Sequence, residues 1–587
     1  MGINTKNRVF NIKVKKQDKD IFFTEFNALN KIDAKHAKNH EKIFLALRDV
    51  FKRNNKTLVL VGGYSRDLLR GDIPHDLDFA TDATPEEIKL ILEEVADKND
   101  KDESIVWGLG EKYGTIAAKM DNEDIEITTY RINEQYADDS RHPEMEWGKD
   151  FEEDSNRRDF TINAVGYDLI NDTFIDIHGG MSDIEKRIIR AVGDPVERFK
   201  EDPLRILRAA RFAAQLDYNI EEETYKAMKK CAPLIDSLSE ERKRDEITKL
   251  LLTDAPEKGI NILTQSYGME YIIPEIMDMI GMEQPTQYHD KDVYNHTLKV
   301  VSNVEKDTRL RWAALLHDIG KPNTYSITDT GVIHYYNHQN EGADMAYQIL
   351  KKMKFPKEDI MAITHMVRLH MYSHQLTKGL RKDGVDVNNI GGDTGISEKT
   401  IDKMINSLDY WKNINGKDVL LVSAEDIMKL GYADIMGGAP KRIPAGLRNY
   451  EKTLKLIKNA RERRDNPKPK LPVNGNDLIK KFNLTPGKDL GDVIKHLNNK
   501  LMDGDLKEND PSKAYSIAKR YLIDTLGYSI IDSPLTGDDI MKTFNLKPGK
   551  TIGEIMNLLK SEVEKGTLKV NDKKKAEQIV FEWLQNK

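Results

Sequence analysis

The sequence predicts an α+β chain in which a small mixed β-sheet near the N-terminus is followed by mainly α-helical segments and a duplicated helical end. Short runs rich in β-branched and apolar residues cluster between residues 56 and 170, with one helical pattern among them. From about Asp194 onward, apolar residues recur at helical spacing and few runs are typical of strands. The stretch that begins at Val473 is repeated, without a gap, from Leu535.

Five strand-like runs and one helix make up the predicted sheet region. The strands are TLVLVGG, DLDFAT, GTIAAKM, DIEITTYR and FTINAVGYDLI, and the helix is TPEEIKLILEEVADK. Helical periodicity follows in EDPLRILRAARFAAQLDY and EITKLLLTDAPEKGINILTQ. The run RERRDNPKPKLP indicates a charged, proline-broken linker before the duplicated end.

Length and composition limit the class of protein. A chain of 587 residues is too long for one hydrophobic core, so we expect three or more domains. No apolar run approaches the roughly 20 residues of a membrane span, and the start lacks the apolar core of a secretory signal. The single Cys231 excludes an internal disulfide framework, which favours the cytoplasm. The net charge of −7 argues against a uniformly basic nucleic-acid binder, although local basic clusters could contact phosphates.

Two alternating carboxylates are the first candidate metal ligands. Asp76 and Asp78 in HDLDF would face the same side of a strand. Such a pair suits Mg²⁺ when substrate phosphates complete its coordination shell. Glu126, on another predicted strand, would add a third carboxylate and permit a two-metal arrangement. The alternative is a solvated strand end, which is common for this short pattern.

A glycine pair and an arginine are the candidate phosphate-binding group. Gly62 and Gly63 follow an apolar strand, and their backbone can approach a triphosphate closely. Arg66 would reach the negative charge of that group. The run RRDFTINA then places two arginines, an aspartate and an asparagine at the start of a strand.

Charged residues of EDPLRILRAARF are candidates for base recognition. Glu201, Asp202, Arg205 and Arg208 are predicted on one or two turns of a helix. Asp202 and Arg205 lie three apart, so they would share a face and could present an acceptor and a fork of donors to a base edge. The alternative is a surface salt bridge beside an apolar stripe.

Five segments resemble, in order along the chain, the class II tRNA nucleotidyltransferases, the CCA-adding enzymes, which share their head and neck with bacterial poly(A) polymerases. They are GGYSRDLLRGDIPHDLDFAT, EITTYR, RRDFTINA, EDPLRILRAARFAAQ and ERKRDEITKLL, and they cover roughly residues 40 to 280. The resemblance implies a nucleotidyltransferase head in which Asp76 and Asp78 hold catalytic Mg²⁺, with Glu126 as a third ligand. The reaction would be in-line attack of a tRNA 3′-hydroxyl on the α-phosphate, releasing pyrophosphate.

The resemblance also implies a nucleotide-binding group. Its members are Gly62, Gly63, Arg66, Arg158, Asp159, Asn163, Glu201, Asp202, Arg205 and Arg208. Arg158 and Asp159 would contact the sugar and phosphates. Glu201, Asp202 and Arg205 would select CTP and then ATP without a nucleic-acid template.

A histidine-bearing segment indicates a second metal site. His317-Asp318 ends an apolar helical run in LRWAALLHDIGKP, and His296 and His338 lie on either side along the chain. Each histidine alone is more typical of a structural role, but an adjacent His-Asp pair with a further imidazole favours a metal site. The core HDIGKP resembles an HD-type phosphohydrolase domain, which would hold Mg²⁺ or a divalent transition metal.

The HD resemblance implies further ligands and an activity. Asp426 in LLVSAEDIM would be the closing carboxylate, and Glu425 competes for that position. His365 and His370 would complete a second metal site, to which His338 could also belong, or are exposed helix residues. Some CCA-adding enzymes with such a domain show phosphatase and 2′,3′-cyclic phosphodiesterase activities, which would repair tRNA ends.

We therefore expect seven segments. They are an N-terminal extension (1–40), the head (41–170), a helical neck (171–285), an HD-type helical domain (286–460), a linker (461–472) and two tail repeats (473–530 and 531–587). Each repeat has a cap-like Asp477 or Asp539, a Pro-Gly turn and an amphipathic helix. The repeats resemble a family tail that helps to hold tRNA, and a duplicated spacer is the alternative.

The leading hypothesis is CCA addition to tRNA from CTP and ATP, with no membrane partner. A poly(A) polymerase or an enzyme that adds only CC or A is the alternative within the class. From another class, the chain could be a metal-dependent phosphohydrolase whose head only recognises RNA. The sequence does not indicate an oligomeric state.

Overall fold

The computed structural model divides the chain into two compact units, Met1–Ala460 and Arg461–Lys587. The residues that it describes are 34–72, 74, 76–98, 104–108, 114–135, 144–284, 291–372, 398–441, 443–465, 469–482, 484–528, 530 and 532–587. Most of the predicted N-terminal extension therefore lies outside the described residues. Within the described residues, no helix is both long and apolar enough to cross a membrane.

The first unit begins with a seven-stranded mixed sheet whose strand order is β3-β4-β5-β2-β1-β8-β9. Its strands are β1 (Val59–Leu60), β2 (Leu77–Thr81), β3 (Val106–Gly108), β4 (Thr115–Met120), β5 (Glu123–Thr129), β8 (Gly166–Asp168) and β9 (Thr173–Ile175). Strands β2 and β5 run parallel, and the other neighbours are antiparallel. The predicted mixed sheet is thus confirmed. A separate hairpin pairs β6 (Arg131–Gln135) with β7 (Glu144–Trp147).

Among the described residues, five helices accompany this sheet. They are α1 (Ala34–Arg53), α2 (Gly63–Arg70), α3 (Pro85–Glu93), α4 (Phe151–Asn156) and α5 (Gly180–Lys186). A capping box between Thr84 and Glu87 starts α3, because each side chain bonds the backbone N–H of the other residue. Phe44 and Phe51 of α1 are fully buried in one core with Phe79 of β2, the interior strand that carries Asp78.

The rest of the first unit is mainly helical, as predicted, and shares one continuous core around the buried Trp312. Its helices are α6 (Pro195–Glu201), α7 (Leu204–Leu216), α8 (Glu222–Cys231), α9 (Glu240–Leu251), α10 (Pro256–Gln265), α11 (Val293–Asn303), α12 (Thr308–Leu316), α13 (His338–Lys352), α14 (Lys357–Leu369), α15 (Glu398–Leu408), α16 (Ala424–Gly437) and α17 (Ile443–Asp465). Helix α17 extends five residues into the predicted linker.

Short strands interrupt these helices. The parallel pair is β10 (Ile188–Ile189) with β11 (Asn219–Ile220), and the hairpins are β12 (Tyr325–Ile327) with β13 (Ile333–Tyr335) and β14 (Tyr410–Ile414) with β15 (Lys417–Val422). Strand β12 begins three residues after the HDIGKP segment, and His338 follows β13, so this hairpin lies in the chain between two histidines of the predicted metal site.

The predicted continuous helix over EDPLRILRAARF is wrong. Glu201 ends α6, Asp202 has an extended backbone, and α7 begins only at Leu204. The cause is Pro203, which lacks an N–H and disfavours helical geometry in the residue before it. Consequently Glu201 and Asp202 do not lie on the helix that carries Arg205 and Arg208.

The second unit confirms two small helical repeats. The first contains α18 (Gly475–Phe482), α19 (Lys488–Met502) and α20 (Pro511–Asp524), and the second contains α21 (Gly537–Thr543), α22 (Lys550–Glu564) and α23 (Lys573–Gln585). Each helix of the first repeat starts 62 residues before its counterpart in the second. Each repeat has its own core, in which Leu497 and Leu559 hold equivalent, fully buried positions.

Candidate active site and metal centre

Adjacent strands bring the predicted head carboxylates together. Asp78 of β2 lies opposite Glu126 of β5 in the parallel register, and Asp76 directly precedes β2. Asp78 is half-buried, whereas Asp76 and Glu126 are exposed. Burial, together with the charges of Glu126 and Asp76, raises the pKa of Asp78 to about 6, and Arg158 opposes this rise. Three carboxylates with so little compensating charge suit a divalent cation bound by hard oxygen ligands.

The glycine pair lies beside this cluster. Gly62 has a φ of +70°, a conformation that favours glycine, and a Cβ there would lie 3.7 Å from Oδ2 of Asp78. Gly62 also precedes the first residue of α2 and gives that helix no side-chain cap. The backbone can therefore come close to a ligand held by the carboxylates, as the sequence predicts.

Arg66 is buried, and its guanidinium already binds other side chains of the protein. Its side chain is 6% exposed. It donates to Asp67 through Nε and Nη2 at 2.8 and 3.0 Å, and through Nη1 to Oδ1 of Asn163 at 2.9 Å. Direct contact between Arg66 and a triphosphate stays a prediction.

Asp154 is a residue of this region that sequence reasoning missed. Its carboxylate is 1% exposed and accepts two hydrogen bonds each from Arg157 and Arg158, at 2.8 to 3.1 Å. Arg158 in turn lies close enough to Asp78 to affect its pKa. Asp154 therefore positions both arginines of RRDFTINA. The signal was present in the sequence, because Asp154 lies three and four residues before them on a helical turn.

A chain of buried polar groups connects the head to α7. Asp159 accepts hydrogen bonds from Arg208 at 2.8 Å and from Asn163 at 3.1 Å, and Asn163 accepts one from Arg66. The ring of Phe212 lies below this chain, with the guanidinium carbons of Arg66 and Arg208 5.5 and 5.3 Å from its centre. Asp159, Asn163 and Arg208 are thus together, as predicted, but they bind one another.

The predicted base-selecting residues form two separate pairs. Arg205 donates to Glu201 at 2.8 Å and to backbone carbonyls of Arg198 and Arg157 at 3.0 and 2.9 Å. Asp202 instead accepts from Arg242 of α9 at 3.0 Å. The side chains of Arg205 and Asp202 therefore bind different partners, although the N–H of Arg205 donates to the carbonyl oxygen of Asp202 at 3.1 Å. That Asp202 and Arg205 together contact a base edge stays a prediction.

Four imidazoles converge on Asp318 in the helical body. His317 and His296 approach Oδ2 with their Nε2 atoms at 3.1 and 3.7 Å. His338 and His370 approach Oδ1 with their Nε2 atoms at 3.5 and 3.8 Å. The cluster is almost completely buried and forms two groups of metal-ligand type that share Asp318.

Backbone carbonyls orient all four rings. Each Nδ1 faces a carbonyl oxygen at 2.6 to 3.1 Å, from Gly437 for His296, Ala314 for His317, Tyr335 for His338 and Val367 for His370. A carbonyl can only accept, so Nδ1 carries a proton in each ring, and a ring that is neutral then directs the lone pair of Nε2 to the centre. Burial lowers the pKa of His370 to about 3, which keeps that ring neutral. This donor set fits a divalent metal.

Asp434 closes the cluster, which corrects the prediction of Asp426. Oδ1 of Asp434 lies 3.0 Å from Nε2 of His296. Asp426 instead caps α16, where its carboxylate accepts from the backbone N–H and the hydroxyl of Ser423 at 2.9 and 2.7 Å. Both aspartates, like Glu425, belong to α16, and sequence spacing alone did not show which turn of that helix faces the histidines.

Two other residues change the expected ligand set. Nε2 of His365 is 2.8 Å from the carbonyl oxygen of Leu408, so His365 does not join the cluster. Lys321 does join it, because its ammonium group donates to Asp318 at 2.6 Å and to Gln284 at 2.7 Å. Lys321 is part of HDIGKP and lies three residues after Asp318, a spacing that could have identified it.

Replacing Asp78 by Asn should stabilise the metal-free protein at about pH 7.5 by roughly 1–3 kcal/mol. The folded-state pKa of Asp78, about 6, exceeds its ordinary value of 3.8, so the ionised carboxylate opposes folding. The cost of the ionised Asp78 to folding is complete above the folded-state pKa and vanishes below the unfolded-state pKa. The stability gained by Asp78→Asn should therefore disappear as the pH falls from about 6 to 3.8. Denaturant titration measures it. Asp76→Asn, at an exposed carboxylate, is the control, and equal stability of Asp78→Asn and the parent at every pH would contradict the prediction.

Asp434→Ala should lower the metal content of the helical body, whereas Asp426→Ala should leave it unchanged. Asp434 lies in the cluster, and Asp426 contributes only a helix cap worth about 1 kcal/mol of stability. Elemental analysis after exposure to Mn²⁺ and removal of loosely bound ions measures the metal content. Loss of metal from Asp426→Ala alone would restore the sequence prediction.

Three protein-family models match the chain in order. They are described as "Poly A polymerase head domain" over residues 58–190, "Probable RNA and SrmB- binding site of polymerase A" over residues 217–280, and "HD domain" over residues 266–403. The match to the HD domain ends before α16, so it does not include Asp434.

The similar proteins given below are all described as CCA-adding enzymes. A CCA-adding enzyme of Lactococcus lactis is 30% identical over 465 residues, which cover 79% of this chain and 93% of that protein. One from Streptococcus gordonii is 41% identical over 212 residues, 36% of this chain and 50% of that protein. The solved structure of a Bacillus stearothermophilus CCA-adding enzyme in complex with CTP is 22% identical, with a TM-score of 0.46, and covers 81% of this chain and 96% of that one. The extent of the Lactococcus lactis match shows that this chain belongs to the family of CCA-adding enzymes.

Proposed function

We propose that this protein adds the sequence CCA to tRNA 3′ ends from CTP and ATP without a nucleic-acid template. The observation that carries the proposal is the juxtaposition of Asp78 and Glu126 on neighbouring parallel strands, with Gly62 beside Asp78. In the reaction, the tRNA 3′-oxygen forms a bond to the α-phosphorus, and the bond to the bridging oxygen breaks as pyrophosphate leaves.

Residues of the head would hold the reacting groups. Asp76, Asp78 and Glu126 would bind Mg²⁺, the cation that their carboxylate oxygens suit best. Such a cation would stabilise negative charge on the reacting phosphate oxygens. Gly62 would let the backbone approach the triphosphate, and Arg158 would face the same space because Asp154 fixes its guanidinium.

The choice between CTP and ATP would arise near the start of α7, where a base would replace the present ion-pair partners of Arg205 and Asp202. Arg205 and Asp202 are each bound to another side chain, Glu201 and Arg242, and these ion pairs are partly exposed. A base edge with matching donors and acceptors would replace them, while one without a match would leave polar groups unpaired. The neck would then read CTP and ATP through hydrogen bonds alone.

The histidine centre would hydrolyse phosphate esters, including the 2′,3′-cyclic phosphate of a damaged tRNA end. Support comes from four Nε2 atoms that converge on Asp318, with the ammonium group of Lys321 beside it. Imidazole nitrogen favours a divalent transition metal over Mg²⁺ at this centre. Water would add its oxygen to phosphorus as one ester P–O bond breaks, and the proton would pass to the departing ribose oxygen.

A poly(A) polymerase is the second candidate, favoured by the two family models named for that enzyme. The other alternative, a phosphohydrolase whose head only recognises RNA, is disfavoured by the complete carboxylate cluster of the head. RNA binding by the tail repeats and a cytoplasmic location stay predictions from the sequence.

The deciding experiment supplies tRNA that lacks its 3′ end with CTP, ATP or both, and sequences the products. We expect CC with CTP alone and CCA with both nucleotides. A long A tract would support the poly(A) polymerase, and absence of any added nucleotide would contradict both transferase proposals.

The two centres should be separable by mutation. Asp78→Ala should abolish incorporation of CTP and ATP while tRNA binding and ester hydrolysis remain, because it removes a head carboxylate only. Asp318→Ala should abolish ester hydrolysis and spare CCA addition. Incorporation assays, hydrolysis of 2′,3′-cyclic AMP and thermal melting of each variant test this. Nucleotide incorporation by Asp78→Ala would contradict the head assignment.

Arg205→Ala should blur the choice between CTP and ATP by about tenfold while triphosphate affinity changes less. Arg205→Lys keeps the charge but loses the planar fork of donors, so it should share the loss of selectivity. The ratio of kcat/KM values for the two nucleotides on matched tRNA ends measures the effect. An unchanged ratio in both variants would remove Arg205 from base selection.

A further inference from the structure

An aromatic hairpin adjoins the histidine centre. Strands β12 and β13 pair in antiparallel register, with Tyr325 opposite Tyr335 and Ile327 opposite Ile333. The hairpin follows HDIGKP in the chain and ends at the residues that lead into His338. Large apolar side chains remain exposed on it, with Tyr325 44% and Ile327 56% exposed.

The two faces of this hairpin differ. Because side chains alternate along a strand, Tyr325, Ile327, Ile333 and Tyr335 share one face, here called the tyrosine face. On the other face, the rings of His334 and Tyr336 stack in parallel with their centres 4.8 Å apart. Tyr336 is 70% exposed and is an aromatic residue on the opposite face, so it can serve as a control for the tyrosine face.

The tyrosine face is continuous with the metal-ligand cluster. The ammonium nitrogen of Lys321 lies 2.6 Å from Oδ2 of Asp318 and 5.6 Å from the centre of the Tyr335 ring. The carbonyl oxygen of Tyr335 also faces Nδ1 of His338 at 2.8 Å. The Tyr325 ring lies next along the face, 5.9 Å from the Tyr335 ring between centres. A molecule bound through its phosphate at the cluster would therefore have Tyr335 and then Tyr325 beside it.

From this continuity we propose that the tyrosine face binds the base of the nucleotide whose phosphate enters the histidine centre. Aromatic side chains stack on bases of any identity, which suits a terminal nucleotide of an RNA chain. Ile327 would extend the apolar platform on the exposed side of Tyr325. The inference rests on the proposed ester hydrolysis and adds to it the surface that recognises the base of the ester.

The test compares the full-length, Mn²⁺-loaded protein with Tyr325→Ala, Tyr325→Phe and Tyr336→Ala. The substrates are 2′,3′-cyclic AMP and glycerol 1,2-cyclic phosphate, which has the same cyclic ester but no base. Tyr325→Ala should raise KM for the nucleotide about tenfold and change kcat by less than about twofold, since stacking affects binding rather than chemistry. KM for the glycerol ester and the rate of CCA addition should not change.

The control variants define what would overturn the proposal. Tyr325→Phe keeps the ring and Tyr336→Ala alters the other face, so both should retain the parental KM. An unchanged KM in Tyr325→Ala, an equal rise for both substrates, or an equal effect of Tyr336→Ala would each contradict a base platform at Tyr325.

A binding measurement separates this proposal from the proposed hydrolysis. Equilibrium dialysis with 2′-AMP, with Asp318→Ala defining the share bound at this centre, should give about tenfold weaker binding to Tyr325→Ala. If the parent hydrolyses neither ester yet shows this difference, the hydrolase proposal fails and the platform stands. If the parent binds no 2′-AMP at the centre, the platform is overturned.

Discussion

The buried carboxylate of Asp159 joins the head sheet to the neck helix α7. It accepts from Arg208 on the neck side and from Asn163 on the head side, and Asn163 binds Arg66 of α2. Burial alone would raise the pKa of Asp159, but Arg208 and the hydrogen bonds hold it below its ordinary value, so the carboxylate stays charged. Removing one partner from such a buried pair typically costs about 3–5 kcal/mol. The alignment of the carboxylates proposed to be catalytic with the residues proposed to select the base depends on this link, because the two groups belong to different elements.

The two centres of the first unit differ in their electrostatics. In the head, negative charges accumulate, and the raised pKa of Asp78 is the measurable result of that repulsion and burial. In the histidine centre, the imidazoles are held with their Nε2 atoms inward. The charges of His317 and Lys321 hold the pKa of the buried Asp318 well below its usual range, so its carboxylate stays charged. Hard oxygen ligands in one centre and imidazole nitrogens in the other suit different cations, so the two proposed reactions would each use a cation of its own kind.

The features that could be predicted from the sequence are those that short-range patterns determine. The alternation of Asp76 and Asp78, the glycine pair and the 62-residue repeat are local, and the structure agrees with the elements they predict. The predictions that failed concern side-chain partners that only tertiary packing brings together. Asp434 rather than Asp426 faces His296 because helix α16 presents its last turns to α11, which no spacing within LLVSAEDIM reveals. Likewise, the binding of Arg66 to Asn163 joins residues far apart in the chain.

The break in the helix at Pro203 would serve the base selection proposed for this region. By ending α6 it places Glu201 and Asp202 before α7 rather than on it, so each can bind its own arginine, Arg205 or Arg242. The donors and acceptors that a base would need are therefore already satisfied in the protein alone. A correct base must offer hydrogen bonds at least as good as those it displaces, and a wrong one gains nothing from the exchange. Selectivity would then come from the difference between two sets of hydrogen bonds, so the protein can discriminate nucleotides without a nucleic-acid template to pair with them.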